Sequence, residues 1–578
     1  MKQSNLQQFK RILSYTKGYR VIILIAFIGA ILYVSATLYA PKLVGDAVDK
    51  FVDQEAFSLN SILPYVIELG IIVILGAIFG WLMNYLLNKV TYSVVKDLRI
   101  TAFNKILNVK ISYLDSHLSG DLLTRIISDT DQVSEGLLQG LSQALTGIIT
   151  IIVTIVMMLF IRWEIGLVVI VLTPLSLFVA AFISKRSFKT FKAQAEIKGE
   201  MGGFLNEMIT NQKIVKAYHQ EAANIDTFKE IDKRLYYVGA KAQFNSSLVN
   251  PSTRFVNALV YAVVATFGAI LIGQGNLSFG IGGLTAFLTY ASQYTKPFNE
   301  ISGVAAELSN AFASLRRVFE LIDEEEMPNE INLDSLVDVK GNVRFAKVNF
   351  SYVENKPLIE DFNINIKAGS KVAIVGPTGC GKTTIINLLM RFYEINSGQI
   401  MIDGKDIKTI SKESLREQLG MVLQDTWLFK GTIYDNIAYG KTNATLDEVI
   451  EAAKKSHAYD FIEKLPNGFE TIVSDDSLSL GQKQLLCIAR LMLRLPNILI
   501  LDEATSNIDT RTEINVQKAF HELMEGRTAF IIAHRLSTIR TADLILVMKD
   551  GHIIETGTHD ELLNNNGFYK QLYEAQFA

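Results

Sequence analysis

The segment Lys371-Val-Ala-Ile-Val-Gly-Pro-Thr-Gly-Cys-Gly-Lys-Thr-Thr384 carries the densest chemistry in the chain. Gly376, Gly379 and Gly381 leave the backbone free to wrap its N–H groups around an anion, with Pro377, Thr378 and Cys380 completing the loop. An apolar, helix-prone run from Ile385 to Leu389 follows, so a helix would turn its positive N-terminal end toward the same anion. This is the pattern of a phosphate-binding loop: Lys382 would reach the β- and γ-phosphates and Thr383, beside Thr384, would offer a hydroxyl to Mg2+. Downstream, Ile498-Leu-Ile-Leu-Asp-Glu503 ends an apolar run in two carboxylates. Asp502 suits Mg2+, directly or through water, and Glu503 suits the base for an attacking water, as phosphoanhydride hydrolysis requires. A further apolar run, Thr528 to Ala533, ends in His534, well placed for a γ-phosphate. Between these lie Gln424, after Gly420 to Leu423, and Leu478-Ser-Leu-Gly-Gln482, which opens a helix carrying Arg490.

Strands must hold these groups. The runs that end near Gly376, Glu503 and His534 read as strands, and the apolar one that delivers Asp502 as a buried strand. Val343 to Tyr352 alternates and ends in a tyrosine that could stack on a base or serve as core. Residues 338–578, about 240 in all, suffice for one α/β domain. Residues 323–337 open with Asp323-Glu-Glu-Glu326 and read as a charged, solvated linker.

Residues 1–322 are of another kind. Six apolar segments, at about 21–41, 63–87, 136–160, 165–184, 247–273 and 279–299, each reach the roughly 20 residues a bilayer-crossing helix needs. Basic residues crowd 88–135 and 185–242, whereas 42–62 is net acidic, which places both termini in the cytoplasm. Leu6 to Tyr19 is amphipathic and basic, suited to the inner membrane surface. The two basic loops keep helical periodicity, so the membrane helices are expected to extend roughly 37 Å beyond the bilayer, turning near Tyr113 to Asp121 and Asn211 to Tyr218. Acidic residues are almost absent from the span centres, which argues against a proton relay. Asn257, Tyr261, Thr289, Tyr290, Gln293 and Tyr294 could line a cavity or pack between helices. A net charge of −3 singles out no partner, and nothing calls for nucleic acid; two cysteines exclude a disulfide scaffold.

Taken in order, Tyr352, Gly376 to Thr384, Gln424, Leu478 to Gln482, Ile498 to Glu503, Ser506 to Asp509 and His534 resemble the full motif set of an ATP-binding cassette domain. With the six spans, the whole chain resembles a bacterial ABC exporter half-transporter of the multidrug type. The resemblance implies a six-helix, all-α membrane domain followed by an α/β P-loop ATPase, ATP and Mg2+ as cofactors, and a cell-membrane location. It also implies a dimer, each ATP held by one cassette's Walker motifs, with Gln424 among the Mg2+ ligands, and by the partner's signature, here Ser479, Gly481 and Gln482, with Asp509 nearby. Coupling helices would lie at the two turning points, and alternating access would export lipophilic or amphipathic compounds. Export of a peptide or lipid, or an ATP-gated sensor or channel, stays open.

The chain departs from that pattern in one half-site. Leu480 stands at the first glycine of the signature, Ser474 to Ser477 reads about two residues short, and Asn507 replaces the usual alanine. Lys382, Asp502, Glu503 and His534 are intact, which resembles one subunit of a heterodimeric exporter whose partner carries the impaired Walker site and the intact signature. The alternative is a homodimer that tolerates leucine.

Overall fold

The computed structural model describes residues 5–52, 59–274, 280–328, 330, 333–353, 356–423, 426–474, 477–502, 509–533 and 536–577. Contacts divide the chain into two units, residues 1–109 with 117–326, and residues 110–116 with 327–578.

The first eleven helices are α1 (Asn5–Tyr15), α2 (Arg20–Val52), α3 (Leu59–Asn108), α4 (Ile111–Ser116), α5 (Ser119–Ile126), α6 (Ser128–Ile161), α7 (Trp163–Thr210), α8 (Gln212–Ala217), α9 (Glu221–Ser247), α10 (Val249–Gly273) and α11 (Ile281–Ile322). All but α4 build the first unit. With 50 and 48 residues, α3 and α7 are each above 70 Å long at about 1.5 Å per residue. Among the described residues, the stretches Lys17–Val52, Asn60–Asn108, Ser119–Ile161 and Glu221–Gly273 are long and apolar enough to cross a membrane, and Trp163–Leu175 is a shorter apolar helix. Ile67, Ile71 and Ile74 on α3 and Phe178 and Phe182 on α7 are exposed, an arrangement suited to lipid as solvent. Of the late polar and aromatic candidates, Tyr290 is fully buried and donates to the Leu38 carbonyl at 2.7 Å. Tyr294 is buried, while Thr289 donates to the Thr285 carbonyl of its own helix at 3.0 Å. These three pack or bond within the protein; Tyr261 is exposed.

At one end of this unit, charged side chains tie four helices together. The Arg317 guanidinium pairs with the buried Asp129 carboxylate, Arg99 with Asp131 at 2.7 Å and Lys105 with Glu326 at 2.8 Å. Arg11 of α1 lies 4.0 Å over the Phe319 ring and bonds Asp323 at 2.6 Å. Val109 and Glu326, where the unit ends on either side, form an isolated β-bridge.

Among the described residues the second unit contains the strands β1 (Val343–Phe350), β2 (Ile359–Ile366), β3 (Lys371–Val375), β4 (Ser397–Ile402), β5 (Lys405–Asp406), β6 (Leu419–Val422), β7 (Gly431–Thr432), β8 (Ile472–Val473), β9 (Ile498–Asp502), β10 (Thr528–Ile532), β11 (Leu544–Lys549) and β12 (His552–Gly557). The main sheet runs β12-β11-β3-β10-β9-β6, parallel except for β12. Its central strands are buried along nearly their whole length, which is why their sequences are apolar rather than alternating. An antiparallel sheet, β2-β1-β4-β5, and a short β7-β8 pair complete it. The expected linker is not solvated throughout. Glu330 pairs with Arg391 at 3.1 Å, Asp334 N–H donates to the Thr409 carbonyl at 3.0 Å and Leu336 N–H to Ser414 Oγ at 2.8 Å, so a charge-rich sequence lies against the ATPase unit because its charges and backbone find partners there.

Candidate functional site

Part of the predicted chemistry leaves one edge of the main sheet. Parallel strands β3, β6, β9 and β10 deliver, at their C-terminal ends, the glycine loop, the segment toward Gln424, Asp502, and Ala533 before His534. That edge is where open α/β sheets bind ligands. Ile532 is in register with both Ile374 and Asp502, so Asp502 stands two strands from the loop's own strand, about 10 Å away at sheet spacing. Glu503, His534 and Gln424 lie outside the described residues, as do Ser506 and Asn507.

The loop is shaped by contacts that the motif does not spell out. Gly376 has φ +156°, and a Cβ there would stand 2.2 Å from the Met548 carbonyl oxygen and 2.8 Å from Cys380 Sγ. Gly379 has φ +83° with open space where its Cβ would be. Helix α12 (Lys382–Leu389) begins immediately, capped by Gly381. Its first N–H groups have no acceptor within the helix, as at any helix start, and are available to an anion. Lys382 Nζ donates to the carbonyls of Gly376 at 2.8 Å and Pro377 at 3.0 Å, laying a positive charge across the loop mouth. Thr383 is exposed and Thr384 buried. Burial pushes the Cys380 thiol up, against the pull of Lys382, so the loop cysteine is a neutral spacer.

Tyr352 is brought beside this helix. Its phenol donates to Thr384 Oγ1 at 3.3 Å and accepts from Asn387 Nδ2 at 3.4 Å, and the residue as a whole is 46% exposed. Asn387 was not among the expected site residues; it lies one turn past Thr383, and helical spacing would have pointed to it.

The signature residues form their own local unit. Ser479 caps the helix Leu480–Met492 through a reciprocal box: Gln482 N–H donates to Ser479 Oγ at 3.3 Å and Ser479 N–H to Gln482 Oε1 at 3.0 Å. The Ser-x-x-Gln spacing encodes that cap. Leu480 is the helix's first residue, partly exposed, Gly481 is buried, and ahead of them Ser474 N–H donates to Ser477 Oγ at 2.8 Å. This helix packs into one hydrophobic cluster and α12 into the other. Asp509 caps the helix Thr510–Met524, accepting from Thr512 N–H at 3.0 Å, a bond that holds its carboxyl below the usual range.

The donor set fits magnesium and nucleotide phosphates. Thr383 and Asp502 are hard oxygen donors of the kind Mg2+ takes, and among the described residues no cluster of three or more His, Cys, Asp or Glu could hold a metal. Mg2+ normally takes one or two protein ligands and completes its shell with phosphate and water.

Comparison with known proteins gives matches along nearly the whole chain. Family profiles match at residues 23–298, for the ABC transporter transmembrane region, and at residues 359–506, for the ABC transporter domain. A fatty acid ABC transporter ATP-binding/permease protein of Mycobacterium bovis is 43% identical over 502 residues, 86% of this chain and 79% of that protein. The ABC transporter ATP-binding protein YfiC of Bacillus subtilis is 38% identical over 571 residues, 98% and 94% of the two chains. An ATP-dependent lipid A-core flippase of Methylobacillus flagellatus is 34% identical over 583 residues, 100% and 98%. The solved structure of a bacterial Atm1-family ABC exporter with ATP bound superposes with a TM-score of 0.80 at 28% identity, covering 97% of this chain and 98% of that one.

Proposed function

The chain belongs to the ABC transporter family, and from that membership we propose that it is one half of a dimeric exporter moving lipids or other amphipathic compounds across a bacterial plasma membrane. Its cassette binds ATP with Mg2+, and the transporter hydrolyses ATP. The carrying observation is Lys382, folded onto the Gly376 and Pro377 carbonyls at the head of α12, on the same chain as apolar helices of up to 50 residues. Relatives named for fatty acids and for lipid A support lipid as the cargo class. Multidrug-type efflux is the wider reading, because an apolar cavity selects by shape and can repack.

In this reading the loop from Gly376 to Thr384 and Lys382 hold the phosphates and Tyr352 stacks on the base. Thr383, Gln424 and Asp502 hold Mg2+, which when bound neutralises charge on the phosphate oxygens. Glu503 takes the proton of the attacking water and His534 steadies the γ-phosphate. Six crossings, two of them supplied by α7 and α11, put both termini and the ATPase unit in the cytoplasm. Ser479, Gly481, Gln482 and Asp509, as the family resemblance implies, serve a second subunit's nucleotide. A partly exposed Leu480 at the start of that helix favours a partner that is a different chain, with an intact signature and an impaired Walker site.

The test is reconstitution of the purified transporter in proteoliposomes with a fluorescent lipid, and in parallel a lipophilic dye and a peptide. ATP-dependent lipid movement is expected, with hydrolysis slowed roughly 10²- to 10⁴-fold by Glu503→Gln. Ligand-stimulated hydrolysis without movement of any of the three would overturn export in favour of a sensor or channel. Expression alone and beside its encoded neighbour decides the partner: a stable, fully active dimer of this chain alone ends the heterodimer proposal.

A further inference from the structure

A cavity of about 200 Å³ lies in the ATPase unit, bounded by the strands β9 and β10, the helix Thr510–Met524 and the segment that begins with the helix Leu536–Arg540. Leu501 and Ile531 line it from the sheet. They are in register across the two parallel strands, so their side chains leave the same face. Gln517, Phe520, His521 and Met524 line it from the helix, at the spacing that puts residues on one helical face. Thr538 and Thr541 complete the lining. Protein interiors hold few voids larger than a water molecule, and an apolar cavity of roughly 150 Å³ is enough to take up benzene. The lining divides by chemistry. Leu501, Phe520 and Ile531 are buried, and with the Met524 thioether they offer the apolar and polarisable surface that suits an aromatic ring. His521 and Thr541 are exposed, on the polar side. Gln517 donates its amide N–H to Glu513 at 3.4 Å, which leaves its carbonyl oxygen as an acceptor.

We propose that this cavity is a second ligand site on the ATPase unit, taking one neutral, flat aromatic molecule with an N–H donor, of the size of indole, and that its occupancy slows ATP hydrolysis. The size sets the first limit, because sites for drug-sized ligands run to roughly 300–1,000 Å³. Charge sets the second. Among the described residues no Lys, Arg, Asp or Glu lines the cavity, so an ionised ligand would be desolvated there without a fixed counter-charge. A ring against Leu501, Phe520, Ile531 and Met524, with its N–H on the Gln517 carbonyl, satisfies both halves of the lining. The effect on hydrolysis follows from what the walls lead to. Leu501 immediately precedes Asp502, Ile531 stands three residues before His534, and the helix Thr510–Met524 starts from its Asp509 cap. Filling the cavity takes away the room in which that helix and the two strand ends can shift against each other during turnover. None of the lining residues is among those assigned to the phosphates, the base or Mg2+, so ATP should still bind. The proposal needs the ATPase alone and holds whatever the cargo is.

The probe is indole, added to the intact transporter in nanodiscs, with equilibrium dialysis for binding and steady-state ATPase for effect. Gln517→Phe puts a ring into the cavity from its own wall, and Gln517→Leu removes the acceptor at similar size. Lipid takes up the same indole in all three preparations, so the difference between them reports the cavity. The unaltered protein should bind one indole per chain in saturable excess over Gln517→Phe. Its kcat should fall at least about threefold at saturation, with KM for ATP within about twofold. Gln517→Leu should hydrolyse ATP normally without indole and bind it about 2- to 10-fold more weakly, the worth of one hydrogen bond. 1-Methylindole, which lacks the donor, should bind the unaltered protein more weakly by a similar factor. Gln517→Phe should be slow from the start and indifferent to indole. No saturable excess over Gln517→Phe overturns the site, and equal affinity of the unaltered protein and Gln517→Leu overturns the assigned contact. Binding that leaves kcat unchanged, or a KM that rises with indole, overturns the regulatory role. So does an inhibition of equal potency in all three proteins, which would mean that indole acts through the membrane unit. An unaltered protein that moves no lipid in proteoliposomes ends the exporter reading and leaves each of these outcomes as decisive as before.

Discussion

Replacing Gly379 by alanine separates two demands that a phosphate loop makes on its glycines. Gly379 sits at φ +83°, and a Cβ there meets no heavy atom within 4 Å. The methyl group therefore strains the backbone without striking the protein. A side chain in the left-handed region costs about 1–2 kcal/mol, and a unit of this size loses roughly 2–4 °C of Tm per kcal/mol, so the ligand-free ATPase unit should melt about 2–8 °C lower. If the loop cradles an anion, the open space beside Gly379 is the space the anion would use, and the methyl group would wall it off. ATP at about 100 times its Kd should stabilise the unaltered protein by roughly 2.7 kcal/mol, or about 5–11 °C; in Gly379→Ala that gain should shrink below about 2 °C. Gly376→Ala is the contrast, because its Cβ would stand 2.2 Å from the Met548 carbonyl and force β11 to move. It should lose stability before any nucleotide is added, and by more. The assay is thermal melting of the reconstituted protein by intrinsic fluorescence, to which Trp427 contributes from the ATPase unit, with and without Mg-ATP. A Gly379→Ala protein that kept the full ATP-induced shift would refute the reading of this loop as an anion cradle.

Three further outcomes follow from the geometry. Tyr352→Ala should raise the Kd for ATP about 5- to 150-fold, the equivalent of about 1–3 kcal/mol of lost base stacking, while Tyr352→Trp should restore it; nucleotide titration checks both. Arg317→Ala leaves the Asp129 carboxylate, 4% exposed, without its guanidinium, and should destabilise the membrane unit by about 3 kcal/mol in denaturant melts, with Arg317→Lys between the two. Burial alone would raise the Asp403 carboxyl, but bonds from Asn342 Nδ2 at 2.7 Å and from the N–H groups of Gly341, Asn342 and Lys340 win and hold it low. A depressed folded pKa contributes stability that is fully present above the ordinary carboxylate value of about 3.9 and is lost as pH falls through the folded value. Melting scans below about pH 4 should therefore fall more steeply in the unaltered protein than in Asp403→Asn.

The nucleotide-facing residues were legible because their chemistry is local. A glycine loop, a lysine and a threonine fall within nine consecutive residues, and strands covered on both faces announce themselves as apolar runs such as Ile498 to Leu501. The helical membrane unit was legible for the same reason, since crossing a bilayer needs a continuous stretch. What stayed hidden depends on which segments meet after folding. Residues 110–116 read as part of an inner loop of the membrane half, yet they cluster with the ATPase unit. Glu330 reads as a solvated acid and instead pairs with Arg391 and Lys412. Asn387 and Met548 carry no motif, and only their neighbours give them a part to play.

The altered signature gains meaning from the same distinction between local and assembled structure. Ser479 and Gln482 close their capping box through each other's backbone and side chain, with no part taken by residue 480. The helix behind them is anchored by Leu485, Leu486, Ile488 and Ala489, all buried. Leucine is also a better helix former than glycine by about 0.8 kcal/mol, so position 480 cannot be read as a folding defect. Its partly exposed side chain meets solvent in the isolated chain and, in the proposed dimer, would face a second subunit. Leu480→Gly should therefore lower the stability of the lone chain slightly while leaving its own Walker site unchanged. In the proposed dimer, any gain in hydrolysis it produces would come from a nucleotide held by the partner. Measuring ATPase with Leu480→Gly in this chain and Lys382→Ala beside it isolates that contribution: activity that reappears belongs to the partner's site, and its absence means the partner's Walker residues cannot turn over.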